Sequence, residues 1–419
     1  MRTLLGFVVG LVVGAIVASP VGERSAWASG GFQLDEHSAA GVGMAGAQTA
    51  IADDPSAIYY NPAGLGFQPG FGAQVGGNLI IARTHVSPDG VTLWHTVFAP
   101  TLFVAQRIGN HVAFGIGLFS NFGEHFEFPP EWRGRFAGYM VDVTTATFQP
   151  TLALRPLSWL SIGVGLDVVP ASLELFRALN FGGGEGNVHV GADAVGIGGN
   201  FGLLLELVPR RLNFGFSYRS RMDLDFTGHG SISAPPELRA VTGGRQIART
   251  TVPLPHNFSI ATGLFFGHLT LDAELKVSIW RDVQQLQLTL TDPAAPAGTM
   301  PSVDFVVLDL HNTWALRAGA QYGFSRDRVR VRLGAGWDTS PVPSSTLGPL
   351  LPDTDRVLVS AGIGVRYRMF TVDVGYLAVF LLKKTATNPD LIATYQTFGQ
   401  VISGSVTLRF EHLLQRAAP

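Results

Sequence analysis

The chain of 419 residues is 46% hydrophobic and only 14% charged, with 51 glycines, 25 prolines and no cysteine. The missing cysteine excludes a disulfide framework, thiolate zinc sites, cysteine-held iron–sulfur clusters and a cysteine nucleophile. Its 29 basic and 31 acidic side chains lack the basic excess of a polyanion-binding protein, so nucleic acid is not an expected partner. A mean hydropathy of +0.26 would normally signal membrane helices. Beyond residue 20, however, no uncharged apolar run reaches the roughly 18 residues that a spanning helix needs.

The N-terminus reads as an export signal. Arg2 supplies a positive start, Leu4 to Val17 an apolar run too short to span comfortably, and Ala26-Trp27-Ala28 the small residues of a cleavage site. Residues 1–28 are expected to be removed, leaving Ser29 first; an uncleaved membrane anchor is the alternative. Residues 29–66 are rich in Ala and Gly, with a break at Asp53-Asp54-Pro55 and a turn at Asn61-Pro62. That pattern predicts short helices joined by turns.

From about residue 71 the period changes to two. Leu269, Leu271, Ala273, Leu275, Val277 and Ile279 alternate with Thr270, Asp272, Glu274, Lys276 and Ser278, so one face is apolar and the other charged. Val329, Val331, Leu333, Ala335 and Trp337 alternate in the same way with Arg328, Arg330 and Arg332. Fourteen such segments are predicted, at 71–86, 91–107, 110–120, 140–155, 158–176, 195–208, 211–228, 254–267, 268–290, 310–324, 327–339, 355–369, 370–383 and 397–410. Even-numbered segments are followed by tiny turns, such as Arg107-Ile108-Gly109-Asn110 and Gly267-His268. Most odd-numbered ones are followed by long connections, such as 177–194 and 229–253.

Short turns at one rim and long loops at the other predict a 14-stranded antiparallel transmembrane β-barrel spanning 71–410. Closure follows because hydrocarbon offers no partner for an open sheet edge. A soluble β-sandwich also alternates, but it does not account for the loop asymmetry together with the export signal. A barrel this wide has a lumen, so residues 29–70 are expected to form a small helical hatch that plugs it. Phe410 ends the last strand, and 411–419 form a C-terminal extension.

Gly31-Phe32-Gln33-Leu34-Asp35-Glu36-His37-Ser38, Gly41-Val42-Gly43, Ala50-Ile51-Ala52-Asp53-Asp54 and Asn61-Pro62-Ala63 resemble the N-terminal hatch of the FadL/TodX (OmpP1) family. Those proteins are outer-membrane transporters of long-chain fatty acids and other hydrophobic compounds. Ser120-Asn121-Phe122-Gly123, Tyr218-Arg219-Ser220, Asp338-Thr339-Ser340-Pro341-Val342-Pro343 and Pro352-Asp353-Thr354-Asp355-Arg356 extend the resemblance over the mature chain. It implies passive transport across the outer membrane of a Gram-negative bacterium. Ligand would be captured by apolar extracellular loops, held in a pocket gated by the hatch, and released sideways through a kink in strand three. On the matching residues, Asn61, Pro62 and Ala63 form the hatch motif, and Gly30, Gly31 and Phe32 the hatch end beside the pocket. The kink falls on Asn121, Phe122 and Gly123, where glycine tolerates a break in the ladder, and Phe126, Phe128 and Trp132 follow as a capture loop.

A carboxylate buried in an apolar lumen needs a cation, and Arg177 at the outer end of the fifth segment is the candidate. Without a cation at the pocket, a neutral ligand such as an aromatic or aliphatic hydrocarbon fits better. Gly196-Ile197-Gly198-Gly199 lacks the βαβ context of a nucleotide motif, and the histidines show no metal-ligand spacing. No nucleophile-elbow motif supports a hydrolase. No enzyme activity, cofactor or metal is therefore expected. The expected partners are a hydrophobic ligand and membrane lipid, with the chain acting as a monomer, and a porin or adhesin is the remaining alternative.

Overall fold

The computed structural model describes residues 32–182, 184–235, 245–293, 302–388 and 391–410. The expected export signal, Gly30, Gly31 and the extension 411–419 lie outside these residues. From Phe71 onward the chain forms one closed antiparallel barrel of fourteen strands. Its strands are β1 (Phe71–Ser87), β2 (Val91–Ile108), β3 (Val112–Phe119 and Gly123–Glu127), β4 (Met140–Thr145 and Thr147–Leu157), β5 (Leu160–Asn180), β6 (Glu185–Val208) and β7 (Leu212–Arg219 and Met222–Ser233). They continue as β8 (Gln246–Leu254 and His256–Phe266), β9 (Leu269–Ile279 and Gln285–Thr291), β10 (Ser302–Val307 and Thr313–Phe324), β11 (Val329–Asp338), β12 (Arg356–Tyr367), β13 (Phe370–Leu381) and β14 (Thr394–Phe410). Phe71 of β1 stands opposite Phe410 of β14, which closes the ring without an edge.

The alternation expected from the sequence has a direct physical outcome. Val164, Leu166, Val195, Ile197, Val372 and Val374 are exposed on the outer wall, where hydrocarbon replaces water as their surroundings. The short turns gather at one rim, five of them using left-handed backbone, at Gly109, Arg210, Gly267, Ser325–Asp327 and Arg368.

The segment boundaries differ from expectation in an informative way. The predicted loop 177–194 is mostly hairpin, because β5 runs to Asn180 and β6 starts at Glu185. Predicted loops 229–253 and 291–309 likewise contain strand. Above the hydrocarbon, outward positions such as Asn187 and Asp193 need not be apolar, so the pattern fades while the ladder continues. Conversely, 268–290 reads as one strand but is interrupted between Ile279 and Gln285.

Inside the barrel sits a small hatch with two single-turn helices, α1 (Ala39–Val42) and α2 (Ala57–Tyr60), followed by a 3-10 turn over Pro62–Gly66. Ser38 caps α1 by accepting the Gly41 N–H at 3.1 Å, and Asn61 caps the 3-10 turn by accepting the Ala63 N–H at 3.2 Å. The wall gives way for this turn. A Cβ on Gly163 would lie 2.4 Å from the Ala63 nitrogen, and one on Gly202 would lie 2.2 Å from Asn61 Oδ1, so these positions require residues without side chains.

Candidate functional site

Two kinds of surface divide the lumen. Around the hatch the inward side chains of the wall are polar and charged. Asp35 accepts from Lys276 Nζ at 2.5 Å, Arg317 Nη2 at 2.8 Å and the Tyr59 hydroxyl at 2.8 Å. Arg317 also holds Asp338 at 2.7 Å, Arg332 holds Asp373 at 2.6 Å, and Arg219 pairs with Asp167. These ions are buried and survive there because each is paired. Burial, with the Asp35 charge beside it, raises the pKa of Glu36. Burial also keeps the His37 imidazole neutral by lowering its pKa to about 3, and its Nε2 lies 3.0 Å from the Leu34 carbonyl.

Asn61, Pro62 and Ala63 are buried in this polar half. The Asn61 amide donates to the Thr49 carbonyl at 2.8 Å within the hatch and to the Leu203 carbonyl of β6 at 3.1 Å. Ser161 of β5 donates to the Ala63 carbonyl at 2.7 Å. The tripeptide therefore fastens the hatch to the wall.

Towards the outer rim the lumen turns apolar. A cavity of about 350 Å³ is walled by Leu173, Leu175, Val188, Val190, Leu286 and Leu288, with Phe32 of the hatch and Glu124 also against it. Phe32 packs edge-on against Trp280 at 5.4 Å and tilted against Phe122 at 5.8 Å. Arg177 lines the cavity, but its guanidinium is already paired with Asp304 at 2.5 Å. Among the described residues no other Lys or Arg lines this space, so no unpaired cation waits there for a carboxylate.

Next to the cavity β3 breaks over Ser120–Phe122. Below the break β3 pairs with β2 as far as Leu118↔Leu102. Above it, Val91–Thr101 of β2 pair with β1 alone, while the upper arm of β3 pairs with β4. The hatch takes the vacated edge. Leu34 N–H donates to the Asn121 carbonyl and Gly123 N–H to the Phe32 carbonyl, each at 2.9 Å, with Gln33 bridging Phe122 between them. Thr145 of β4 holds the other edge, accepting the Phe122 N–H at 3.2 Å and donating to the Phe122 carbonyl at 2.5 Å. Asn121, Phe122 and Gly123 thus sit between hatch and wall.

The three residues expected in a capture loop are all buried, Phe128 and Trp132 of them in the connection from β3 to β4. Phe126 belongs to the upper arm of β3, and Phe126, Phe128 and Trp132 are all buried in the apolar cluster that contains Phe32. Phe128 stacks on Trp132 at 4.2 Å and Phe126 on Phe128 at 6.4 Å. Large apolar rings gain more from this packing than from water, which accounts for their burial against one another and in the cluster with Phe32. The Asp35 hub was missed in the sequence. Its visible signal was the charged face of Asp272, Glu274 and Lys276, which turns out to face the hatch.

Residues 21–410 match the family described as outer membrane protein transport protein (OMPP1/FadL/TodX). The chain belongs to this family. The long-chain fatty acid transport protein of Escherichia coli strain K12 is 27% identical over 86% of this chain and 89% of its own length. The 47 kDa outer membrane protein of Pasteurella multocida is 25% identical over 98% of both chains. Among solved structures, a Pseudomonas aeruginosa FadL homologue superposes with a TM-score of 0.80 at 22% identity, covering 91% of this chain and all of its own. The Pseudomonas putida toluene transporter TodX gives a TM-score of 0.71 at 17% identity, covering 90% of this chain and 99% of its own. Membership makes the chain a passive transport protein for hydrophobic compounds, with its barrel in the outer membrane of a Gram-negative bacterium.

Proposed function

We propose that this chain acts as a monomer in three steps: a hydrophobic small molecule enters the apolar cavity, displaces the hatch end at Phe32, and leaves sideways between β2 and β3. The observation that carries this route is the contact between the hatch and the β3 break. The only described backbone on the edge that β2 leaves unpaired is the segment 32–34, so moving that segment opens the wall. The charged lower half supports lateral release, because an apolar ligand descending through the Asp35 and Arg219 pairs would strip water and partners from buried ions. Gly30, Gly31 and Phe32 form the gate in this reading, and Asn61, Pro62 and Ala63 its fixed base. The division into export signal 1–28, hatch 29–70, barrel 71–410 and extension 411–419 belongs to the same proposal.

An uncharged ligand fits the cavity best, because Asp304 already occupies Arg177 and Glu124 adds a second acid to the lining. A long-chain fatty acid is the second reading, favoured by the relatives that carry that name; it requires the ligand to compete with Asp304. The deciding experiment is uptake of labelled toluene and, in parallel, labelled long-chain fatty acid by Gram-negative cells lacking their own transporter. Toluene uptake above the empty-vector rate is the expected result. Fatty acid alone would shift the assignment to the second reading. Neither, with folded protein in the outer membrane, would overturn transport of both substrates.

A further inference from the structure

The wall is interrupted a second time, between β6 and β7. The lower arm of β7 pairs with β6 up to Arg219↔Asn200, and the upper arm rejoins it at Thr227↔Asp193. Between these points Ala194–Gly198 of β6 pair with β5 alone, and Met222–Phe226 of β7 pair with β8 alone. Seven residues of β7, 220–226, face the six of β6 at 194–199, a one-residue bulge that interrupts the ladder while the strands stay in contact.

Backbone groups released from a ladder at the edge of hydrocarbon need substitute partners, and several are present. The Arg221 N–H points to His256 Nδ1 at 3.2 Å, which also lies 2.9 Å from the Tyr218 hydroxyl. The Ser220 N–H donates to the Gly199 carbonyl at 2.8 Å, and its hydroxyl accepts the Gly199 N–H at 2.9 Å.

Side chains close the remaining gap. A Cβ on Gly196 would lie 2.6 Å from Leu224 Cδ2, and one on Gly198 would lie 2.7 Å from Met222 Cε, so β7 fills the room these positions leave. Met222 and Leu224 are buried in the apolar cluster that contains Phe32, and Leu224 pairs in register with Val252 of the cavity wall. On the other side of the wall Ile197 is exposed. Just below the break, Phe201, Phe216, Tyr218, His256 and Phe258 line an open groove of about 440 Å³.

We infer that this seam is a second lateral exit, leading uncharged hydrophobic ligand from the cavity to the aromatic groove, with the Met222 side chain as its plug. The inference rests on the transport reading above. An unbranched thioether repacks readily, so the seam opens by rotamer change while every ladder hydrogen bond and the hatch stay in place. The apolar lining selects against charge.

The test uses a reversible staple. Met222 Cβ lies 3.6 Å from the position of a Cβ on Gly198, within the about 3.5–4.5 Å that a disulfide needs, and the chain has no cysteine of its own. Uptake of labelled toluene is compared for wild type and Gly198→Cys/Met222→Cys, each oxidised and after dithiothreitol. The expected result is that oxidation lowers the double variant's rate by about half and reduction restores it, with the β2–β3 exit carrying the rest. Equal rates in both redox states would overturn the inference. A wild-type rate no higher than empty vector would instead count against the transport reading, whatever the staple does. Should the double variant not fold, Met222→Ala decides. It opens the seam and is expected about to double the rate, and a wild-type rate in that variant would sink the idea.

Discussion

The two halves of the lumen solve opposite problems with the same barrel. Around the hatch, inward positions carry Asp272, Glu274, Lys276, Arg317 and Arg332, and every one of these meets a partner from the hatch or a neighbouring strand. Near the outer rim, inward positions carry Val and Leu around the cavity, and among the described residues the one basic side chain lining it, Arg177, is paired across to Asp304. The first arrangement holds a plug in one register, since charge pairs in a poorly solvated space are costly to break. The second binds without directional demands, as an apolar site reads shape and volume. Gating then falls where the halves meet, at residues 32–34 against Asn121–Gly123.

The charged half should break hardest. Arg317→Met leaves Asp338 without its guanidinium and strips Asp35 of one of its two cationic partners, Lys276 being the other. Orphaning a buried charge costs on the order of 3–5 kcal/mol. Limited proteolysis should then cut within residues 32–66 of the variant while the barrel resists, and an unchanged digestion pattern would contradict the plug role. In the apolar half, Val190→Trp fills the cavity. It should cost about 1–3 kcal/mol by overpacking and lower toluene uptake roughly tenfold, with hatch protection unaltered.

Much of the barrel was legible before its structure because lipid imposes a simple code. Alternation in Leu269–Ile279 and Val329–Trp337 marks strands wherever one face must be apolar, and turns such as Gly267-His268 leave no room for anything but a hairpin. Legibility ended where that code ends. Asn187, His189 and Asp193 carry β6 above the hydrocarbon with no apolar outer face, so the sequence there resembles a loop. Phe126, Phe128 and Trp132 look like a greasy surface because composition does not state direction, and the fold buries them. The Asp35 hub needs residues separated by up to 282 positions, a juxtaposition that only barrel closure creates.

Smaller changes sharpen the contrast. Asn61→Ala removes two donated bonds to carbonyls and one accepted cap, at about 1–2 kcal/mol. Hydrogen exchange should rise in Pro62–Gly66 and stay unchanged around the cavity. Acid should act through His37. Its pKa falls from the ordinary 6.5 to about 3 on burial, so the undocked hatch binds a proton that the docked hatch refuses. Docking is therefore strongest above pH 6.5 and weakens as pH falls towards 3. His37→Gln should flatten that part of the proteolysis profile, and a variant as acid-sensitive as wild type would refute it.

The mildest substitution asks what the apolar half selects. Arg177 and Asp304 are 28% and 49% exposed, so their bond is worth no more than about 1 kcal/mol. Asp304→Asn should leave folding and hatch protection untouched while freeing the guanidinium at the cavity mouth. Uptake of fatty acid relative to toluene should then rise by up to about fivefold, the ratio that 1 kcal/mol supports. The rise should shrink with added salt, because a half-exposed charge is screened. A fatty-acid preference already present in wild type and unmoved by Asp304→Asn would mean that Asp304 does not set the ligand's charge. The carboxylate would then have to sit away from Arg177, and the apolar half would be reading chain shape alone.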